Sequence, residues 1–341
     1  MSQDGSALVV SRPVRQNERV RTKIAGFLLF ILLTALAVAQ TAVPVAPPRP
    51  PIPEVKHVLL VSIDGLRPDR ALLADAPVLR SLIRRGAYTF WARTTAVSIT
   101  LPSHTSMVTG VKPDKHGIVW NWDLPLAEPV YPRVPTVMEM ATRAGYSTAL
   151  IAGKSKFSFL NKPGTIAHVS VPAPHTSGGN EVVVENARRI VLAHRPTFAF
   201  VHFPDVDAVG HAQGWGQAGQ LAKIEQTDAQ LGQVLAAYEE AGVLDSTIVL
   251  VSADHGGAGL SHGADDPRSR HIPWIIAGPG VRQGMDLTQQ ATLEVNTEDS
   301  AATICWLLGL RQQPYFDGKP VFAAFETREN VDSGTSGEAG N

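Results

Sequence analysis

The chain has 341 residues, 44% of them hydrophobic, with one cysteine and a net charge of −1. That length allows one large domain or two ordinary ones, with a sizeable core, and the near-neutral charge excludes bulk electrostatic binding to nucleic acid. The lone Cys305 excludes an intramolecular disulfide and a cysteine-based metal cluster, and within the apolar "TICWLLGL" it reads as core.

The first 39 residues stand apart from the fold. Arg12, Arg15, Arg19, Arg21 and Lys23 precede "IAGFLLFILLTALAVA", an uncharged run short for a membrane span, and Ala37-Val38-Ala39 offers a small-x-small cleavage site. This is the pattern of a secretory signal peptide, with an uncleaved signal anchor through residues 24–39 as the alternative. Either way the remainder is exported, to the periplasm or beyond, with a possible membrane anchor. Residues 40–54, containing "VPVAPPRPPIP", read as a proline-rich linker, and residues 326–341 as a polar, Gly/Ser-rich disordered tail. Residues 55–325 then form one domain.

Within it, "HVLLVSI" (57–63) is a continuous apolar run ending at Asp64, the pattern of a buried parallel strand. "APVLRSLIRRGA" reads as an amphipathic helix with a glycine stop. "TVMEMATRAGYSTALIAG" repeats the unit, with a stop at Gly145 and a strand over 147–152. Further buried strands are predicted at 197–203, 246–253 and 272–278, and helices near 180–193, 218–241 and 297–309. The alternation predicts an α/β fold with a mostly parallel central sheet.

In such sheets ligands gather beyond the carboxyl ends of the strands. Asp64 ends the first strand, Asp205 and Asp207 follow 197–203, and Asp254-His255 follows 246–253. An aspartate after a strand is commonly a turn or cap residue, so each is weak alone. Asp207 and His211, four apart, share one helical face, as a ligand pair or an exposed pair would. Gly256-Gly257 lets the backbone turn sharply after Asp254-His255, and His262 lies in the same loop. His271 is an alternative to it, abutting the strand at 272–278, and His57 has no partner in sequence. Aspartate and histidine without thiolate suit zinc, with manganese second. Six such ligands are enough for two ions, a pair that clamps a phosphoryl group.

"TTAVSITLPSHTSMVTGVKPDKHGI" (94–118) supplies the remaining chemistry. Thr100 before Leu101-Pro102 is either a helix-capping hydroxyl or a reactive one. Metal activation would make it a nucleophile, and the helix starting near Pro102 would aim N–H groups at the phosphoryl oxygens.

"VSIDGLRPD", "TLPSHTSMVTG…HGI", "DVDAVGHAQG", "SADHGG" and "SHG" occur in the order seen in the type I phosphodiesterase/nucleotide pyrophosphatase family, and the chain resembles it from Val55 to Val321. That family belongs to the alkaline phosphatase superfamily, so the resemblance implies a three-layer α/β/α fold. It also implies two zinc ions, one held by Asp64, Thr100, Asp254 and His255, the other by Asp207, His211 and His262. Asn121 falls where the family contacts a phosphoryl oxygen. The implied mechanism is two in-line displacements through a covalent Thr100 intermediate. A sulfatase would need a modifiable Cys or Ser where Thr100 stands.

Aromatic and insertion elements for a nucleotide base do not align here. "AGKSKF" resembles the paired lysines of phosphonoacetate hydrolase, which makes Lys154 and Lys156 substrate-binding candidates beside the plainer reading of a solvated basic loop. No arginine flanks Thr100, Asn121 or His211; Arg93 is nearby in sequence, and Arg67 reads as support for its loop. The expectation is an exported zinc phosphodiesterase or nucleotide pyrophosphatase acting on a small-molecule phosphate ester. A phosphonate or phosphomonoester hydrolase is the rival within the superfamily. A catalytically silent exported binding protein is the rival outside it, and the intact ligand set argues against that.

Overall fold

A computed structural model describes residues 49–123 and 130–326. The expected signal peptide or anchor, linker residues 40–48 and tail residues 327–341 lie outside the described residues. No helix of the described residues is long and apolar enough to cross a membrane.

Eight strands form one sheet: β1 (His57–Ile63), β2 (Gly86–Arg93), β3 (Thr148–Ala152), β4 (His168–Ser170), β5 (Phe198–Phe203), β6 (Thr247–Ser252), β7 (His271–Ala277) and β8 (Met285–Asp286). Their order is β4-β3-β5-β1-β6-β7-β2-β8. The five strands from β4 to β6 run parallel, and β7 pairs antiparallel with both β6 and β2. β3, β5 and β6 are buried at every residue. Their apolar runs do not alternate because helices cover both faces of the sheet. On one side, helices Pro77–Arg84 and Gly179–His194 pack on the long helix Ala218–Glu240. The latter buries Ile224, Leu231, Val234, Leu235 and Tyr238 along one stripe. Helix Thr100–Thr109 packs against Pro113–His116, Val137–Arg143 and Asp299–Leu307, where Cys305 is buried. The result is a three-layer α/β/α fold of the alkaline-phosphatase type.

Two details go beyond the sequence reading. The helix does stop before Gly86, with Arg85 as its C-cap, but the same glycine opens β2, a strand that the sequence reading lacks. A Cβ there would lie 2.0 Å from the Ile276 carbonyl oxygen, so the glycine permits close strand approach. Residues 49–54 of the expected linker also lie on the domain, with Ile52 packed against the core and accepting from the Val55 N–H at 3.1 Å.

Register positions the site. Ser62 pairs with His202 and with Ser252, and His202 pairs with Ala152. Two residues further along each strand come Asp64, Pro204, Asp254 and Lys154. Strands about 4.8 Å apart thus deliver their first or second loop residues as one row.

Candidate active site

Two groups of ligand-type side chains converge at that row: Asp64, Asp254 and His255, and Asp207, His211 and His262. Within each group one ligand atom per residue lies within 4.8 Å of the others. Asp207 and His211 sit one turn apart on helix Asp205–Gln213. Gly65 links the groups. Its φ is +76°, its N–H donates to Asp254 Oδ1 at 3.1 Å, and a Cβ there would lie 3.0 Å from Asp207 Cα. Trp215 Nε1–H donates to the Gly65 carbonyl at 3.0 Å. Arg67 is indeed loop support: it pairs with Asp69 and donates to Gly257 O at 3.2 Å.

The histidine tautomers follow from partners that only accept. His255 Nδ1–H donates to Gly256 O (2.8 Å), His262 Nδ1–H to Ser98 O (2.9 Å) and His211 Nδ1–H to Leu260 O (2.9 Å). In the neutral ring, each Nε2 is therefore a bare lone pair. These nitrogens face carboxylate oxygens: His255 lies 3.4 Å from Asp64 Oδ1 and 3.1 Å from Asp254 Oδ2, and His211 and His262 lie 3.5 and 3.7 Å from Asp207 Oδ1. The same three oxygens are buried without a hydrogen-bond donor. Such orphaned groups are costly. The donor set fits divalent cations: three aspartate carboxylates and three imidazole Nε2 atoms converge.

Electrostatics agree. Burial alone would raise the Asp64 carboxyl, but Lys154, His202 and His255 hold it well below the usual carboxylate range. Burial would lower His255, but Asp254, Asp64 and Asp207 carry it up to about 9. In the ion-free protein a proton thus answers the charge that a cation would neutralise. His262 is pushed down to about 4 by burial and by His255.

Thr100 is the first residue of helix Thr100–Thr109, not its cap; the N-cap is Ile99, with no side-chain cap bond. Its Oγ1 lies 3.4 Å from His255 Nε2. The neighbouring hydroxyls are engaged elsewhere: Ser103 with Thr95 (2.9 Å), Thr105 with Leu101 O (2.6 Å) and Ser106 with His116 (3.1 Å). The helix start offers fewer N–H groups than expected. Leu101 N–H is taken by Asn121 Oδ1 at 3.1 Å, Pro102 has none, and Ser103 N–H donates to Ile99 O at 3.1 Å. Asn121 Oδ1 also accepts from Lys156 Nζ at 2.9 Å, so its Nδ2 amide is the end it can offer a ligand. Lys154 behaves differently, donating to Asp64 Oδ2 and Asp207 Oδ2, both at 2.6 Å.

His271 lies away from these groups, stacked on Trp91 with ring centroids 4.4 Å apart. Three buried residues beneath the site escape sequence reasoning. His202 accepts the Gly153 N–H at Nδ1 (3.3 Å) and so donates from Nε2 to Asp64 Oδ2 (2.9 Å). His104 donates from Nδ1 to Thr100 O (2.8 Å) and accepts from Ser62 Oγ at Nε2 (2.7 Å). Burial pushes His104 down to about 4 and keeps it neutral. Their signal was available: Ser62 and His202 are polar residues inside otherwise apolar strands, paired in register.

A sheet that lines up carboxylates at its strand ends, beside histidines and the Thr100 hydroxyl, defines a candidate metal-assisted active site of the alkaline-phosphatase type. The chain belongs to the type I phosphodiesterase/nucleotide pyrophosphatase family, whose model matches residues 58–268. Arylsulfatase K of Danio rerio is 34% identical over 101 residues, 28% of this chain and 18% of that protein. Ectonucleotide pyrophosphatase/phosphodiesterase family member 3 of Mus musculus is 26% identical over 218 residues, 58% of this chain and 24% of that one. Bis(5'-adenosyl)-triphosphatase ENPP4 of Bos taurus is 26% identical over 213 residues, 58% and 47%. The chain therefore spans between 18% and 47% of the length of these curated relatives. Murine ectonucleotide pyrophosphatase/phosphodiesterase 5 superposes with a TM-score of 0.66 at 17% identity, covering 79% of this chain and 100% of that one. A 2-O GAG sulfatase gives 0.65 at 16%, covering 79% and 74%. These likenesses show the fold.

Proposed function

We propose that the protein is an exported, zinc-dependent phosphodiesterase or nucleotide pyrophosphatase that works through a covalent Thr100 intermediate. One observation carries this reading: two ligand sets, Asp64 with Asp254 and His255, and Asp207 with His211 and His262, converge beside the Thr100 hydroxyl, and one oxygen of each aspartate is buried without a donor. Asp64, Asp254 and His255 with the Thr100 oxygen would hold one zinc, and Asp207, His211 and His262 the other. When bound, the ions polarise the phosphoryl oxygens and lower the pKa of an attacking oxygen.

Thr100 Oγ1 attacks phosphorus in line and gives up its proton, and the ester or anhydride bond opposite it breaks, its electron pair leaving with the departing oxygen, which takes up a proton. Asn121 Nδ2 donates to a phosphoryl oxygen. Water then attacks the threonyl phosphoester from the opposite side and frees Thr100. Two inversions give net retention at phosphorus. Relatives named as pyrophosphatase/phosphodiesterases and a triphosphatase support nucleotide esters and anhydrides as substrates, as does a structure of the murine member 5 protein described as a complex with AMP. Export rests on the signal-like residues 1–39.

One observation favours a second reading. Lys156, 2.9 Å from Asn121 Oδ1, sets a cation beside the phosphoryl-contacting amide, where a substrate with a second anion would gain. Turnover of a bis-aryl phosphate, an aryl monophosphate, a phenylphosphonate ester and phosphonoacetate separates the two. The diester should lead in kcat/KM, with activity lost on chelation and restored by zinc. Full activity without metal overturns the proposal. Preference for phosphonoacetate or the monoester selects the second reading, and no turnover at all selects a silent scaffold.

A further inference from the structure

The two lysines of "AGKSKF" part company in the fold. Lys156 reaches Asn121, whereas the Lys154 ammonium bridges two of the ligand carboxylates, 2.6 Å from Asp64 Oδ2 and 2.6 Å from Asp207 Oδ2. Those carboxylates belong to different ligand groups. Asp64 Oδ2 also accepts from His202 Nε2–H, so both Oδ2 atoms are engaged, while both Oδ1 atoms are buried, without a donor, and turned toward the histidine Nε2 atoms. The lysine side chain is 16% exposed. An isolated bridge between Lys154 and Ser177 fixes its backbone at the end of β3.

Resting on the metal-centre reading above, we infer that Lys154 is a positioning residue that ties the two ion sites together. By holding Oδ2 of one ligand from each site, it presents both Oδ1 atoms and couples the loading of one site to the geometry of the other. Three buried carboxylates repel one another, and Lys154 is the lysine within hydrogen-bonding distance of two of them. An ammonium has three donors, and two are spent on Asp64 and Asp207, which leaves it poorly placed to grip a substrate anion. The substrate-contacting role suits Lys156 instead.

The test is calorimetric titration of the chelator-stripped full chain with Zn2+, reading stoichiometry and the affinity of each ion. Wild type should take about two zinc. Lys154→Met should weaken both ions by about ten- to hundredfold, the usual effect of removing a residue that orients metal ligands. Lys154→Arg, which keeps the charge and two donors, should restore most of that loss. If Lys154→Met does not fold, Lys154→Gln serves: its single amide can hold one carboxylate, so at least one ion should weaken about tenfold. Wild-type zinc affinities in the Met or Gln variant, with a change only in KM, overturn the inference and leave the metal centre standing. A wild-type chain that binds no zinc overturns both.

Discussion

His255 and His262 lie ring over ring, with centroids 3.6 Å apart and planes 12° apart, and each anchors Nδ1–H on a backbone carbonyl. Yet their Nε2 atoms serve different carboxylates, Asp254 with Asp64 for His255 and Asp207 for His262. The stack is thus the seam between the two ligand groups. Protonating both rings would set like charges in contact, so in the ion-free protein the neighbouring carboxylates hold His255 up to about 9 while burial and His255 push His262 down to about 4.

Removing one ligand should therefore empty its site. His211→Ala and Asp254→Asn should each reduce zinc content from about two per chain to about one or fewer, measured by elemental analysis of dialysed protein. Unchanged content in both would show that these groups hold no ion.

The hydroxyl can be assigned by comparing two variants. Assayed with zinc in excess, so that loss of the Thr100 oxygen as a ligand does not empty its site, Thr100→Ala should lower kcat by several orders of magnitude with the fold intact, while Thr100→Ser keeps measurable turnover. Ser103→Ala removes only the buried bond to Thr95 and should cost about 1 kcal/mol of stability with modest change in turnover. The reverse ranking would make Ser103 the nucleophile.

Lys156 should produce a pH dependence. Burial, then the Lys154 charge, lowers it from 10.5 to about 8. Between about 8 and 10.5 the unfolded chain holds a proton that the folded one has lost, so this group's contribution to stability rises with pH across that window. Its ammonium fades over the same rise. KM for a diester bearing a distal carboxylate should therefore climb from pH 7 to 9 by about tenfold, while KM for a neutral bis-aryl ester stays flat. Lys156→Met should abolish the difference; parallel profiles in wild type would remove Lys156 from substrate binding.

Gly65→Ala should damage the site from the backbone. A residue other than glycine at φ +76° costs about 1–2 kcal/mol, and the new Cβ would press on Asp207 Cα at 3.0 Å. Thermal unfolding should drop by several degrees in the zinc-loaded protein, together with zinc content. A variant with wild-type melting and zinc content would show that the turn has slack.

Chemistry with a local cause was legible in the chain itself. Continuous apolar runs ending in aspartate marked β1, β5 and β6, because a strand covered on both faces cannot alternate. Asp207 and His211 were readable as one face because a helical turn separates them. Short-range patterning showed the helix end before Gly86 but not the strand β2 that opens there against Ile276, far along the chain, nor the two-residue β8, which has too few residues to carry a period. Tertiary structure alone decided which lone pairs meet. The choice of His262 over His271, the fixing of three imidazole tautomers by distant carbonyls, and the seating of Lys154 rather than Lys156 between Asp64 and Asp207 all depend on register across β3, β5, β1 and β6. Register is set by hydrogen bonds between segments up to about 190 residues apart, and no local spacing encodes it.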